Sequence, residues 1–447
     1  MFPLFIALAS IFAAASLRWW LERVSVNHVK GPPSPSFWLG HQRVLRSQDE
    51  FGNVETKWCR EYGAIYRIKG CFGDVHRRQR KILNPAFSPA NLRNFLVIFQ
   101  QCSDKVVNAI RRATFTGEPI DVVHWMSKVS LDIIGLSAFR YDFGSLDGRD
   151  TELQKALKHL LTASWQSDPS ALELMAVALI RILPNSALKN LKLVSTRGTH
   201  QLASVAEAAR KVAREILATQ AEFGVQHESD KDLVDILCKS TKTFLIAGHE
   251  TTATTLSWLL YELAAHPDHQ SIIREEVKHS NHGDYDSLPF LNAAIKETLR
   301  LHPFLHTPIR AAPHDDILPL SGSKTLAIPK GQTLLCSVYL YNRLPSIWNA
   351  DAEEWNPARF LEKSIPMSLG VYANLMTFST GSHSCIGWRF AVMEMQTVLA
   401  NLIQNFEFSL PEGVVIQQFP NAQAIVPVVK GEAHLGSRVP LRIKSLE

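Results

Sequence analysis

The segment Phe378-Ser379-Thr380-Gly381-Ser382-His383-Ser384-Cys385-Ile386-Gly387-Trp388-Arg389 constrains the fold more than any other stretch of this chain. It places one cysteine between two glycines, then opens into an apolar-periodic run that predicts a helix from Arg389. Gly381 and Gly387 permit unusual backbone dihedrals and let a flat ligand approach closely, which a Cβ would obstruct. Cys385 is thereby predicted just ahead of a helix N-terminus, where free amide N–H groups and the helix dipole favour a thiolate. Hydrogen bonds to that sulfur would tune a metal bound there. The competing reading is a buried structural cysteine.

Two other stretches carry chemistry. Ala247-Gly248-His249-Glu250-Thr251-Thr252 lies in a run predicted as a buried helix from about Thr243 to Ala264. Gly248 costs such a helix about 1 kcal/mol relative to alanine, and threonine hydroxyls bond back to the preceding turn. Either a functional gain offsets these costs or the threonines merely pack in a core helix. Glu297-Thr298-Leu299-Arg300 sets opposite charges at i and i+3 on one helix face, a pattern common on solvated surfaces when taken alone.

Together these stretches resemble the cytochrome P-450 family. Phe-x-x-Gly-x-His-x-Cys-x-Gly, from Phe378 to Gly387, is similar to its haem-binding loop. The resemblance implies haem b (iron protoporphyrin IX) as cofactor, with Cys385 as axial metal ligand and Phe378 shielding the sulfur. Gly381 and Gly387 shape the loop, and His383 faces a propionate from a place more often held by Arg. Imidazole holds that charge only conditionally. Gly248 would leave room for dioxygen, while Glu250 and Thr251 would be the catalytic residues, relaying protons and orienting water and oxygen. His249 reads as a network or helix-surface residue. Glu297, Arg300 and Arg359, the last within Trp355-Asn356-Pro357-Ala358-Arg359-Phe360, resemble the structural charge cluster of the family, which must pair every donor and acceptor if buried. Arg310 matches a propionate-holding position. His76 and Arg80 resemble the family's other propionate contact, His76 standing where an aromatic is usual. Phe244, Ala247, Thr252, Phe304, Leu305, His306, Thr307, Ala424 and Ile425 match substrate-recognition segments, and their apolar or small character suits a hydrophobic substrate.

The fold implied is mainly α-helical with a smaller β region (α+β), a cytochrome P-450 fold carrying an N-terminal transmembrane anchor. Residues 1–20 read as that anchor, 21–50 as a proline-rich hinge and lead-in, and 51–447 as the haem-thiolate catalytic domain. Met1 to Leu17 is apolar apart from Ser10 and Ser16, and Arg18-Trp19-Trp20 follows it. Seventeen residues lie at the short end for a span, which interfacial tryptophans extend. Lys and Arg follow the run but do not precede it, which puts the catalytic domain on the cytosolic side of the endoplasmic reticulum as a single-pass protein. A cleaved signal peptide is the rival, although the basic leading segment it needs is missing. Length (447 residues), 46% hydrophobic and 20% charged composition give a large core. A net charge of +5 without basic blocks gives no reason to expect nucleic-acid binding. Six cysteines without a C-x-x-C pair fit a reduced compartment better than a disulfide or zinc framework.

A microsomal monooxygenase is thus expected, fed by a membrane-bound NADPH-dependent reductase and inserting one oxygen atom into a lipophilic small molecule. Two compressions qualify this. Against the family pattern, several dozen residues are missing between Ile68 and His76, and the start of the central helix is shortened between Cys238 and Thr243. A non-catalytic product of an incomplete gene model is therefore one alternative, and a relative that rearranges peroxides is another.

Overall fold

The computed structural model describes residues 29–33, 53–62, 87–149, parts of 207–215, 230–280, 283–312, 314–320, 323–361, 369–421 and 424–446. The sequence readings for 1–20, for most of 21–50, for the 69–76 compression, and for His76 and Arg80 lie outside these residues. Among the described residues, no helix is long and apolar enough to cross a membrane.

In chain order the helices are α1 (Asn53–Tyr62), α2 (Pro89–Arg93), α3 (Leu96–Ala113), α4 (Val122–Phe139), α5 (Asp230–Ala265), α6 (Pro267–Lys278), α7 (Pro289–Leu301), α8 (Val338–Tyr341), α9 (Pro345–Trp348) and α10 (Trp388–Asn405). The strands are β1 (Ile120–Asp121), β2 (Ile309–Ala311), β3 (Asp316–Pro319), β4 (Thr325–Ile328), β5 (Thr333–Leu335), β6 (Phe406–Ser409), β7 (Ile416–Asn421), β8 (Ala424–Val429) and β9 (Pro440–Ser445). Helix dominates and the strands form small antiparallel groups, in keeping with an α+β chain.

The chain divides into two compact units. The smaller, of residues 1–45, 54–75 and 308–336, holds most of α1 and two antiparallel ribbons, β2 with β5 and β3 with β4. Alternation along β4 buries Leu326 and Ile328 with Ala312 in a small apolar cluster.

The larger unit is built around α5, α4, α3, α7 and α10, which share one apolar core. On α3, Phe99, Cys102, Val106 and Ile110 recur at helical spacing and are buried, while Arg111 and Arg112 complement the dipole in the last turn. Asp121 caps α4 by accepting the Val123 N–H at 3.1 Å and also accepts the Val439 N–H at 2.9 Å, which fastens β1 beside β9. Pro289 opens α7, and the Glu276 carboxylate accepts its Phe290 and Leu291 N–H groups at 2.8 and 3.0 Å. β9 lies between β1 and β6, and β7 pairs with β8 as a hairpin.

One expectation is corrected here. The central helix begins at Asp230, not Thr243, and passes unbroken through 238–243 for a total of 36 residues. Leu233, Val234, Ile236 and Leu237 continue the apolar pattern upstream, and no Gly or Pro stops the helix before Gly248. The polar cluster Gln226 to Asp232 thus hands over to helix at Asp230.

Candidate functional site

The cysteine loop is a set of tight turns ending at a helix. The Phe378 carbonyl accepts the Cys385 N–H at 2.7 Å, and the Gly381 carbonyl accepts the Ser384 N–H at 3.1 Å. Gly381–His383 forms a single 3-10 turn, and Gly387 is the N-cap of α10. Cys385 therefore stands three residues ahead of α10, and it is exposed. Gly381 has φ +67°, and a Cβ there would meet nothing within 4 Å, so its glycine is required by backbone conformation beside open space. Gly387 differs from the sequence expectation. Its φ is −92°, which any residue adopts, and an added Cβ would only touch Phe87 Cε1 at 3.7 Å. Phe378 is buried behind the loop, its ring edge-on to Tyr372 at 6.1 Å, while His383 is exposed.

On α5, every residue from Thr252 to Leu260 is buried, but Ala247 is exposed and Phe244 and Thr251 are half-buried. These three lie at i, i+3 and i+7 and form one open face. Phe87 ties that face to the cysteine loop: its ring lies 5.8 Å from that of Phe244, and it is also the neighbour that a Cβ on Gly387 would meet. Sequence reasoning missed Phe87, which stands in no periodic pattern. The Thr251 hydroxyl donates to the Ala247 carbonyl at 2.7 Å, the back-bond anticipated for it, and Thr255 donates to the Thr251 carbonyl at 2.9 Å. Glu250 is buried, and its Oε1 has no hydrogen-bond partner among the described residues. Burial pushes its carboxyl up to about 8, so it holds a proton at neutral pH. His249 is also buried; its Nε2 meets the Ser127 hydroxyl on α4 at 2.7 Å, and burial lowers its pKa to about 4. It is a neutral network residue. Gly248 is explained by packing: a Cβ there would sit 2.9 Å from Ile134 Cδ1 on α4. The position a Cβ on Gly248 would take is occupied by Ile134.

The charge cluster is complete and larger than three residues. Arg300 and Glu297 are both fully buried, with Nε and Nη2 of Arg300 donating to the two carboxylate oxygens at 2.8 Å each. The remaining donors reach the carbonyls of Asn342 (2.7 Å), Ala352 (2.6 Å) and Glu354 (2.9 Å). Arg359 approaches Glu297 Oε1 at 3.4 Å, but its strongest partner is Asp351, gripped at 2.9 and 2.8 Å. Bonding to Arg359 holds the Asp351 carboxyl down at about 2. Asp351 was missed in sequence, although an acid eight residues before Arg359 was the available signal.

The substrate-pocket residues divide. Leu305 pairs with Ala424 in an isolated β-bridge, and the Ile425 N–H donates to the Phe304 carbonyl at 2.8 Å, so the two C-terminal recognition segments are side by side. Leu305 is exposed, and Phe304, His306 and Thr307 are half-buried, the His306 ring meeting Thr307 Oγ1 at 2.7 Å. Thr252, Ala424 and Ile425 are buried and pack into the core instead of lining open space. Arg310 lies on β2 in the smaller unit, where its Nη1 donates to the Ile309 carbonyl at 3.0 Å.

An exposed cysteine thus stands just before a helix N-terminus, and Phe87 joins its loop to the open face of α5. The chain matches the family described as Cytochrome P450 over residues 71–433. It is 31% identical to cytochrome P450 monooxygenase 128 of Postia placenta, covering 93% of this chain and 92% of that protein. It is 29% identical to cytochrome P450 monooxygenase claP of Ampulloclitocybe clavipes, covering 96% and 95%. The chain belongs to the cytochrome P450 family and is an oxidoreductase of the monooxygenase type. The claP alignment runs over 517 positions against the 447 residues present here, so at least 70 of its positions, the difference of the two, have no residue in this chain.

Proposed function

We propose that this chain is a haem b monooxygenase that takes electrons from an NADPH-dependent reductase and oxygenates a lipophilic small molecule, with Cys385 as metal ligand. The single observation that carries this is the exposed Cys385, fixed by its own N–H to the Phe378 carbonyl and joined by Phe87 to the open face of α5. The surroundings fit a flat apolar group: open space beside Gly381, rings at Phe87, Phe244 and Trp388, and a thiol as the ligating atom. Haem bound there supplies dioxygen activation, favoured by electron density pushed from the thiolate.

The residues around it do the rest. Thr251, having donated its hydrogen to the Ala247 carbonyl, keeps oxygen lone pairs to accept a hydrogen bond from water on the open face. Glu250, protonated at its carboxyl at neutral pH, is a store from which a proton moves toward that face. With haem bound, Phe378, buried in the loop, would shield the sulfur, and His383, exposed on the loop, would be a donor available to a propionate. The apolar character of Phe244, Ala247, Phe304 and Leu305 supports a lipophilic substrate. The N-terminal apolar run with its tryptophans supports a single-pass anchor in the endoplasmic reticulum membrane, with the catalytic domain cytosolic. The test is turnover of lipophilic probes by microsomes expressing the chain: oxygenation requires NADPH and reductase together. Turnover of hydroperoxides without either would favour the peroxide-rearranging alternative, against which Glu250 and Thr251 stand.

The excess of alignment positions over residues favours one second reading, a non-catalytic product of an incomplete gene model. Sequencing the transcript across Lys69 to His76 and Cys238 to Thr243 decides it: additional coding sequence makes the parent protein the enzyme.

A further inference from the structure

We infer that Asn342 and Thr377 are positioning residues that couple the buried Glu297/Arg300 cluster to the cysteine loop and fix the direction of its sulfur. The inference rests on the haem-thiolate reading. Its chain of contacts is continuous. Arg300 Nη1 donates to the Asn342 carbonyl at 2.7 Å. The fully buried Asn342 side chain then spans to the loop, with Nδ2 donating to Thr377 Oγ1 at 2.9 Å and Oδ1 accepting the Met376 N–H at 3.3 Å. Thr377 in turn donates its hydroxyl to the Leu299 carbonyl at 2.6 Å. The next residue is Phe378, whose carbonyl accepts the Cys385 N–H at 2.7 Å.

Helix physics explains why the Leu299 carbonyl needs a partner. It is one of the last four carbonyls of α7, which have no acceptor role within the helix. The Thr298 carbonyl is met by the His302 N–H, and the Leu301 carbonyl by Arg343 and Gln418. Thr377 supplies the partner for Leu299 from the segment that enters the cysteine loop. The hydroxyl thus has one donor and one acceptor role, both used, which fixes its rotamer. The amide of Asn342 can point only one way, because the Thr377 hydrogen is committed to Leu299. Immediately downstream, Ser379 holds φ +59° with its N–H on the Met376 carbonyl at 2.7 Å, so the chain turns sharply at the clamped point. Residues distant in sequence, 299, 342 and 377, therefore set the path by which Phe378 reaches Cys385.

The test uses the full chain expressed with haem, reduced and exposed to carbon monoxide, reading the ratio of neutral-thiol-type to thiolate-type Soret absorption. Thr377→Val keeps shape but removes both hydrogen bonds, and is expected to raise that ratio at least roughly tenfold, the lower end of the factor for losing two buried hydrogen bonds. Thr377→Ser, which keeps the hydroxyl, is expected to stay within about twofold of wild type. Asn342→Asp keeps the acceptor toward Met376 and sets a carboxylate against Thr377. Its ratio should rise with pH and recover as acid restores a donor, a dependence that the wild-type amide at this position cannot give. If Thr377→Val gives no folded protein, the pH behaviour of Asn342→Asp decides. Wild-type-like ratios in Thr377→Val, a Thr377→Ser variant as impaired as Thr377→Val, or no such pH dependence in Asn342→Asp overturn the coupling alone. Wild-type protein without a thiolate-type band overturns it together with the haem-thiolate reading.

Discussion

Glu394, on α10, is fully buried, and neither of its carboxyl oxygens has a hydrogen-bond partner among the described residues. Burial pushes the carboxyl up from 4.5 to about 8; the nearby Ser130 hydroxyl pulls the other way, yet that hydroxyl also finds no hydrogen-bond partner. The folded protein therefore keeps a proton that the unfolded chain releases near pH 4.5. Because the folded value is the higher one, stability is intact below the unfolded value, falls as pH rises through the interval, and levels off above about 8. Those two values correspond to about 1 kcal/mol lost at pH 5 and about 4 kcal/mol at pH 8. Glu394→Met replaces the carboxyl with an apolar group of similar reach and removes this linkage. In urea titrations across that range, the stability gained by the variant is expected to widen by about 3 kcal/mol between pH 5 and pH 8, while groups common to both proteins cancel in the difference. A difference that stays constant with pH would refute the assignment of a buried, neutral Glu394.

Three further outcomes follow from the same geometry. Arg300→Leu leaves Glu297 Oε2 and three carbonyls without their Arg300 donor in the buried cluster, and is expected to cost about 3–5 kcal/mol in chemical denaturation or to prevent folding. Gly248→Ala is expected to destabilise by about 1–2 kcal/mol through its clash with Ile134, but to become stabilising in an Ile134→Ala background, where the better helix propensity of alanine is realised; thermal unfolding of the four-protein cycle checks this. Glu250→Gln is expected to lower kcat by roughly a hundredfold and to abolish the fall in rate that wild type shows as pH rises past about 8, the point at which Glu250 loses its proton.

The parts legible in sequence were those whose chemistry is contiguous. The Cys385 loop, the Glu250-Thr251 pair and the Glu297/Arg300 spacing each lie within one short stretch, and the residue types required there are rare together. The α10 start is likewise written locally, since Gly387 ends the loop and the apolar period begins beside it. What escaped reading depends on distance along the chain. Phe87 matters because it meets both Gly387 and Phe244, and no local pattern records such a contact. Asn342 and Thr377 are lone polar residues whose pairing spans 35 positions. Gly248 also packs against Ile134, on a helix more than a hundred residues upstream, a contact that its own stretch of sequence does not record. The early start of α5 was obscured because Asp and Lys near 230 resemble a connector as readily as a first helical turn.

The central claim, that Cys385 binds haem as a thiolate in this chain, is tested most directly by reducing the purified full-length protein under carbon monoxide and recording its Soret band. Wild type is expected to show the thiolate-type band, and Cys385→Ala to lose it while His383→Ala retains it. Absence of haem from wild-type protein, or an unchanged band in Cys385→Ala, would contradict the account.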